Sequence, residues 1–246
     1  MLKALAEAGF GSRRRIADAI KNGRVKVNDE LVENFRHPIN LETDRISVNG
    51  KLVELRPRRT VYPMVNKPVG IITTTSDDRG RKTVLDILPE KYRHLRLYPV
   101  GRLDKDSTGL LLLTNDGEIT YRLTHPRFEH EKEYLIQIDG RLKPDEIRKL
   151  EEGLKLEDGM THPVAIKETR SSPPFNYSIT MHEGRKRQVR RMLESLGYQI
   201  LSLKRIRMGN LNLGSLKEGA IRELAPAEIR VLLAGKPPRP TGQGRR

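Results

Sequence analysis

The chain has 246 residues, with 47 lysines and arginines against 32 aspartates and glutamates, so its formal net charge is +15. The absence of cysteine excludes disulfide bonds, thiolate catalysis, iron–sulfur clusters and the usual structural zinc sites. No apolar run approaches the roughly 20 residues that span a bilayer, so a cytoplasmic protein without a membrane partner is expected. The cationic surplus favours nucleic acid as the partner, because lysine and arginine near phosphates release condensed counterions.

Aromatic residues make up only 4% of the chain, and tryptophan is absent. Proteins that bind single-stranded nucleic acid without sequence preference stack successive bases on aromatic side chains. Broad binding of that kind is therefore not expected. The few tyrosines and phenylalanines of this chain matter individually instead.

Residues 1–55 are predicted to form a small module that begins with two helices. The first helix is broken by glycines after Ala8, and Ser12 is a natural N-cap for a second helix that stops at Gly23. Strands are expected at 24–27 and 45–48. Their turn signals are Asn28-Asp29 and Asn49-Gly50.

The first turn of the second predicted helix carries Arg13, Arg14 and Arg15. The helix macrodipole disfavours cations at this end, where aspartate or glutamate would stabilise the helix better. An external anion is therefore the favoured reason for the three arginines, and we expect them to bind RNA. A merely solvated cationic face is the alternative.

Residues 56–61 look like a linker, and 236–246 like a disordered basic tail, because proline and clustered charge interrupt every hydrophobic period there. Between them, 62–235 alternates short strands with helical stretches, which indicates an α+β domain. Hairpins and irregular loops are commoner than crossover helices, so a mainly antiparallel sheet is expected. The predicted strands are 62–65, 110–114, 134–138 and 177–181, and the predicted helices are 83–88, 119–123, 144–152, 187–196 and 226–233.

Several common sites have no support in the sequence. The six histidines lack the spacing of metal ligands, so no metal is expected. The chain contains no serine nucleophile elbow, no phosphate-binding loop and no dinucleotide fingerprint. Nucleotide hydrolysis and hydride transfer are therefore not expected.

The segment 101–117, GRLDKDSTGLLLLTNDG, is the most informative part of the chain. Leu110–Leu113 reads as a buried strand, and a polar loop with Arg102 and Asp104 feeds into it. In an extended loop these two residues lie on the same side. A carboxylate beside a guanidinium stays ionised, as a nucleophile must, although an ordinary surface ion pair explains the pattern equally well.

Four motifs in order carry a family resemblance that covers nearly the whole chain. GRLD followed by TGLLLLTNDG resembles the signature of the ribosomal pseudouridine synthases, in which type A belongs to the small ribosomal particle and types B, E and F belong to the large one. NKPVG at 66–70 resembles the first motif of this family, EKEY at 131–134 its tyrosine motif, and EGRKRQVRRM at 183–192 its third motif. The N-terminal module resembles the S-four-type RNA-binding domain, named for a ribosomal protein.

The resemblance implies a reaction and a set of roles. Uridine is isomerised to its C-glycoside without a cofactor, after the target base has left its stack. Asp104 is the implied nucleophile and Arg102 the side chain that fills the gap. Tyr134 is implied to stack on the base and accept a proton, and Arg190 to pair with the catalytic aspartate.

The third motif also has the spacing of apolar residues that is typical of an amphipathic helix. Val189, Met192, Leu193 and Leu196 share one helical stripe, while the arginines lie opposite. Arg187 and Arg191 are therefore expected to contact RNA phosphates. Lys67 of the first motif is expected to contact RNA or to support the site, with a solvated lysine as the alternative.

The expected substrate is ribosomal RNA. The stretches RGRKTVLDIL at 79–88 and LEDG at 156–159 are similar to the type B synthases, so large-subunit RNA is favoured and small-subunit RNA is the alternative. A monomer is expected. A protein of another class, a non-catalytic RNA-binding factor for ribosome assembly, would carry a degenerated site, but Asp104, Tyr134 and Arg190 are all present.

Overall fold

The computed structural model describes residues 1–8, 10–40, 42–53, 59–169 and 172–234. Two compact units make up this part of the chain: Met1–Val61 together with His94–Arg96, and the remainder from Tyr62 onward. The predicted tail at 236–246 and residues 56–58 of the predicted linker lie outside the described residues. The boundaries expected at residues 55 and 61 remain predictions.

The first unit packs two helices on a four-stranded sheet of order β2-β1-β3-β4. Ser12 caps α2 as expected, because its Oγ accepts a hydrogen bond from the Arg15 backbone N–H at 3.1 Å. The side chains of Ile16 and Ile20 face the core of this unit and are almost fully buried. The elements are α1 (Leu2–Glu7), α2 (Arg13–Lys21), β1 (Val25–Val27), β2 (Glu30–Leu31), β3 (Ile46–Val48) and β4 (Lys51–Leu52).

Both predicted hairpin turns of this unit are confirmed. Asn28 and Asp29 have φ values of 50° and 69°, and Asn49 and Gly50 have φ values of 53° and 75°. Two consecutive residues with positive φ form the turn whose twist suits a two-residue hairpin. These turns join β1 to β2 and β3 to β4.

The second unit is built on a large mixed sheet flanked by helices, as expected for an α+β domain. The strands of this sheet lie side by side in the order β11-β12-β8-β13-β7-β5-β15. In addition, β14 pairs with β13 and β6 pairs with β7. The elements are β5 (Pro63–Lys67), β6 (Tyr98–Pro99), β7 (Thr108–Thr114), α3 (Gly117–Thr124), β8 (Lys132–Ile138), α4 (Pro144–Glu152), β9 (Lys155–Leu156), β10 (Gly159–Met160), β11 (Ala165–Glu168), β12 (Tyr177–Met181), α5 (Gln188–Glu194), β13 (Ile200–Met208), β14 (Leu211–Asn212), β15 (Ile221–Glu223) and α6 (Pro226–Leu233), with short 3-10 helices at Glu90–Tyr92 and Pro126–Phe128.

The pairing of the central strands is antiparallel with one exception among the described strands. β13 runs antiparallel to β8 but parallel to β7, where Lys204 lies opposite Thr108 and Arg205 opposite Gly109. The two backbones come unusually close at Gly109, because a Cβ there would lie 2.6 Å from the Arg205 nitrogen and closer still to its carbonyl oxygen. Glycine is therefore required where the strand that follows the Asp104 loop enters the sheet.

The segment predicted as a helix at 83–88 has another structure, and several strands, of which β13 is the longest, were not predicted. Thr83–Leu88 is not a helix: Thr83 forms a parallel bridge with Ile72, and Asp86 accepts hydrogen bonds from the Thr83 backbone and hydroxyl at 2.6 and 2.8 Å. These bonds compete with a helical turn. The nine-residue strand β13 was not predicted, because Lys204, Arg205 and Arg207 interrupt its apolar pattern.

The core of the second unit lies between the sheet and its helices. The side chains of Leu110 and Leu112 on β7 are fully buried and share a cluster with Ile119 and Leu123 of α3. Asp116 caps α3 by accepting hydrogen bonds from the Glu118 and Ile119 backbones. No described helix is long and apolar enough to cross a membrane.

We expect Gly109→Ala to destabilise the protein by about 2 to 5 kcal/mol, because it combines a backbone overlap with an unfavourable φ of +104°. The matched control is Gly197→Ala, where φ is +85° but no atom lies within 4 Å of the new methyl group. The control should lose only about 1 to 2 kcal/mol. Urea unfolding measures both, and equal losses would contradict the close approach of β7 and β13.

Candidate active site

The loop that carries Asp104 is fixed through its backbone. Thr73 clamps Leu103: its hydroxyl donates to the Leu103 carbonyl at 2.8 Å and accepts from the Leu103 N–H at 3.3 Å. The N–H of Gly70 donates to the Lys105 carbonyl at 2.8 Å, and the N–H of Ser107 closes a turn onto the Asp104 carbonyl at 3.1 Å. The backbone on both sides of Asp104 is thus held by neighbouring groups.

Lys67, the last residue of β5, lies beneath this loop and is fully buried. Its ammonium donates to the carbonyls of Ser107 at 2.7 Å, Pro68 at 3.0 Å and Lys105 at 3.4 Å. These bonds occupy the three donors of the group. The expected contact of Lys67 with RNA is therefore corrected: a fully buried ammonium cannot reach a phosphate, and it supports the loop instead.

Burial lowers the pKa of Lys67 to about 8, although the nearby carboxylates of Asp106 and Asp104 oppose the shift. Removal from water disfavours the charged form, and the carboxylates favour it. Both aspartates thus lie close enough to act on this ammonium.

Asp106 receives the arginines of the third motif. Its carboxylate forms ion pairs with Arg190 and Arg187, each at 3.2 Å, and its carbonyl accepts a second bond from Arg190 at 3.1 Å. Arg190 is 6% exposed, whereas the side chain of Arg187 is 41% exposed, so only Arg187 can also reach a ligand. The expected pairing of Arg190 with Asp104 is corrected, because the partner that the structure records is Asp106.

Asp104 itself is half-buried, and its carboxylate makes no hydrogen bond or ion pair with another described residue. Arg102 is exposed and likewise has no side-chain partner within the described ranges. Leu103 between them points inward and is 6% exposed, which is the alternation expected of an extended segment. A surface ion pair between Arg102 and Asp104 is thus not observed, and both groups are available to a substrate.

Tyr134 lies on β8, two strands away from the Asp104 loop in the sheet order. It is directly opposite Arg205 of β13, so the two side chains leave the same face of the sheet. Arg205 is 2% exposed and donates from Nε to the Leu110 carbonyl at 2.8 Å, which reaches across to β7. Arg205 therefore connects the strand beside Tyr134 with the strand that follows the Asp104 loop.

Arg191 is bound within the protein, and its expected contact with RNA stays a prediction. Its guanidinium pairs with Asp158 at 2.9 Å, and Asp158 also receives Arg185 at 3.4 Å. Arg185 donates further to the carbonyls of Gly159 and Met160. These bonds tie the β9–β10 hairpin to the third motif, and the Arg191 side chain is only 26% exposed.

Sequence reasoning missed three residues of this region, Thr73, Asp106 and Arg205. Asp106 could have been found, because the spacing Asp104-x-Asp106 places a second carboxylate in the same loop. Thr73 and Arg205 carry no local signal, since their partners lie 30 and 95 residues away. No three His, Asp or Glu side chains converge as metal ligands in the part of the chain that the structure describes.

The pKa of Lys67 gives a pH-dependent prediction. The folded-state pKa of about 8 lies below the value of 10.5 for free lysine, so the unfolded state binds more protons between these values. The contribution of Lys67 to the free energy of unfolding should therefore rise with pH through this range, by up to about 3 kcal/mol. Below pH 8 both states are protonated, and this contribution should not change.

An NMR titration of the lysine ε-methylene groups measures the midpoint directly, with Lys67→Arg identifying the resonance. We expect the resonance lost in Lys67→Arg to titrate near 8, as should that of Lys132, whose pKa burial also lowers to about 8. If the resonance lost in Lys67→Arg titrates near the free-lysine value of 10.5 instead, Lys67 is not buried as described.

The sequence of the chain is similar to those of known proteins. Residues 61–195 match the RNA pseudouridylate synthase family, and residues 2–40 match the S4 domain. Ribosomal large subunit pseudouridine synthase B of Bacillus subtilis is 43% identical over 235 residues, which cover 94% of each chain. An uncharacterized RNA pseudouridine synthase of Aquifex aeolicus is 40% identical and covers 92% of this chain and 90% of its own.

A solved structure described as a crystal structure of pseudouridylate synthase is 32% identical, with a TM-score of 0.67, and the match covers 94% of this chain and 98% of the other. The family match spans more than half of the chain and includes the Asp104 loop, Tyr134 and Arg190. The resemblance noted in the sequence is therefore confirmed. The chain belongs to the RNA pseudouridylate synthase family and carries an S4 domain at its N-terminus.

Proposed function

We propose that this protein isomerises a specific uridine of large-subunit ribosomal RNA to pseudouridine, with Asp104 as the nucleophile. The observation that carries the proposal is the unpaired carboxylate of Asp104 on a loop whose backbone carbonyls accept hydrogen bonds from Lys67, Thr73 and Arg190. The choice of large-subunit RNA is supported by the name of the 43% identical relative from Bacillus subtilis.

The proposed reaction is balanced without a cofactor. The bond between C1′ and N1 of the uridine breaks, the uracil turns while it is still bound, and a bond forms between C1′ and C5. The proton on C5 is removed and N1 gains one, so the product is an isomer of the substrate. A carboxylate serves this reaction by attacking the sugar or the base, and a base near C5 completes it.

The other residues receive roles that agree with their positions. Arg102 is exposed beside Asp104, so it can enter the RNA stack where the target uridine has left. Tyr134 is proposed to face the extruded base and to accept the C5 proton. Arg190 and Lys67 act as positioning residues, because both are buried and bind the backbone of the Asp104 loop.

The S4 domain is proposed to hold the RNA outside the catalytic site. Arg13, Arg14 and Arg15 are all exposed in the first turn of α2, and this turn contains no acidic residue. Phosphate at this end of the helix would meet both the arginines and the macrodipole. Arg187, at the start of α5, is proposed as a further phosphate contact. With this substrate the protein works in the cytoplasm, and we propose that it does so as a monomer.

Pseudouridine mapping tests the catalytic proposal. Ribosomal RNA is mapped from cells that lack the protein and are complemented with wild type, Asp104→Asn or Asp106→Asn. Wild type should restore one or more positions in large-subunit RNA, and Asp104→Asn should be at least about a hundredfold less active. Asp106→Asn is the matched control and should retain activity within about tenfold, because Arg190 still binds the Asp106 carbonyl.

Each contrary outcome of the mapping has a definite meaning. Restoration by Asp104→Asn would remove Asp104 as the nucleophile. A lost position in small-subunit RNA would correct the substrate. No lost position at all would favour the non-catalytic assembly factor.

The S4 proposal predicts a change in the salt dependence of binding. Changing Arg13, Arg14 and Arg15 to glutamine should weaken binding to large-subunit RNA and reduce the slope of log K against log salt by about 2, since each single-strand phosphate contact contributes about 0.7. The matched control changes three exposed cations in and just before α4, Arg141, Arg148 and Lys149, to glutamine. Equal slopes for the two triple variants would contradict the assignment.

A further inference from the structure

An exposed group of aromatic rings lies where α3 ends. Its members, which we call the aromatic cluster, are Tyr121, His125, Arg127, Phe128 and His130. The Tyr121 ring centroid lies 4.8 Å from that of His125 and 5.9 Å from that of Phe128, and Phe128 lies 6.3 Å from His130. The Arg127 guanidinium carbon lies 4.5 Å from the Phe128 centroid and 5.1 Å from that of Tyr121.

The core of the protein does not require these rings. α3 turns Ile119 and Leu123 inward, where both are almost fully buried, and leaves Tyr121 44% exposed. His125 and Arg127 are exposed, and Phe128 is half-buried. A chain with only seven tyrosines, four phenylalanines and no tryptophan thus places two of these residues, with two histidines, on one surface.

The cluster is held in place before any ligand arrives. The Arg127 backbone N–H donates to Nδ1 of His125 at 3.2 Å, so the proton of the neutral imidazole lies on Nε2 and the ring has a fixed orientation. The carbonyl of Glu129 contacts Nδ1 of His182 at 3.2 Å, which ties the end of this segment to the end of β12. Groups ordered in advance lose little entropy on binding.

The cluster also borders the catalytic loop. Gly101, the residue before Arg102, lies beside the end of α3, because a Cβ on it would be in ordinary van der Waals contact with Cγ2 of Thr124, at 3.7 Å. Thr124 lies in the segment between Tyr121 and His125. On the other side, His130 is two residues before β8, the strand of Tyr134.

We infer that the aromatic cluster is a stacking site for an unpaired base of the RNA next to the target uridine. This inference rests on the proposed function. When a uridine leaves its stack, the neighbouring base loses a stacking partner and becomes available to an aromatic surface. Aromatic rings and the guanidinium plane of arginine both stack on RNA bases, and the positive charge of Arg127 suits the adjacent phosphate.

A single tryptophan tests the stacking directly, because the natural chain has none. In Tyr121→Trp the indole reports on its own surroundings, and a stacked base quenches its emission. The control is Phe175→Trp, which replaces a half-buried ring in the turn before β12, at the opposite end of that strand from His182. The probe is a large-subunit ribosomal RNA transcript, and saturation is checked by filter retention.

We expect saturating RNA to quench Tyr121→Trp by about half and to leave Phe175→Trp nearly unchanged. Tyr121→Leu and Phe128→Leu should each bind the same RNA about tenfold more weakly, and Phe175→Leu should bind like wild type. An unquenched Tyr121→Trp at saturation, or equal affinity of all three leucine variants, would overturn the stacking site.

This readout is independent of catalysis, so the two proposals can fail separately. Quenching of Tyr121→Trp without pseudouridine formation by the wild type would remove the proposed function and leave the RNA-stacking surface. Pseudouridine formation without quenching would remove the stacking surface alone.

Discussion

The site depends on buried cations that bind backbone carbonyls. Lys67 binds three carbonyls on or beside the Asp104 loop, Arg190 binds those of Asp106 and Ile200, and Arg205 binds that of Leu110. A carbonyl compensates part of the desolvation cost of a cation without adding a charge. The loop is thereby fixed while the Asp104 carboxylate is left unpaired. Asp106 takes the arginine ion pairs instead, so two aspartates of one loop have separate tasks.

Features set by neighbouring residues could be predicted from the sequence. The Ser12 cap, the two asparagine turns and strand β12 depend on local chemistry, and the structure has all of them. Strand β13 could not be predicted, because its cations are stabilised by distant groups: Arg205 by the Leu110 carbonyl, and Arg207 by Glu131 and Glu133. The predicted helix at 83–88 is wrong for a related reason, since the backbone of Val84 bonds to that of Ile72 instead.

The residues of the candidate site could be predicted from local sequence, whereas their contacts with distant residues could not. Motifs and spacing pointed to Asp104, Arg102, Tyr134 and Arg190, but they did not give the partner of Arg190 or the burial of Lys67. Those depend on how β5, β7 and α5 meet, and this follows from the sheet order rather than from any one segment. The sheet order constrains the sequence at Gly109, because the parallel contact with β13 leaves no room for a side chain at this position.

The structure also changes what the net charge of +15 means. Lys67, Arg190 and Arg205 are buried, and Arg207 is held by two glutamates, so none of these cations is free to meet a phosphate. Many other cations are exposed, among them the three arginines in the first turn of α2, Arg102 beside Asp104, and Arg127 over two aromatic rings. A general attraction to polyanions would need only the total charge. In the proposed function, cations at a helix end, beside Asp104 and in the aromatic cluster would also fix the position of the RNA, which a site-specific isomerase requires.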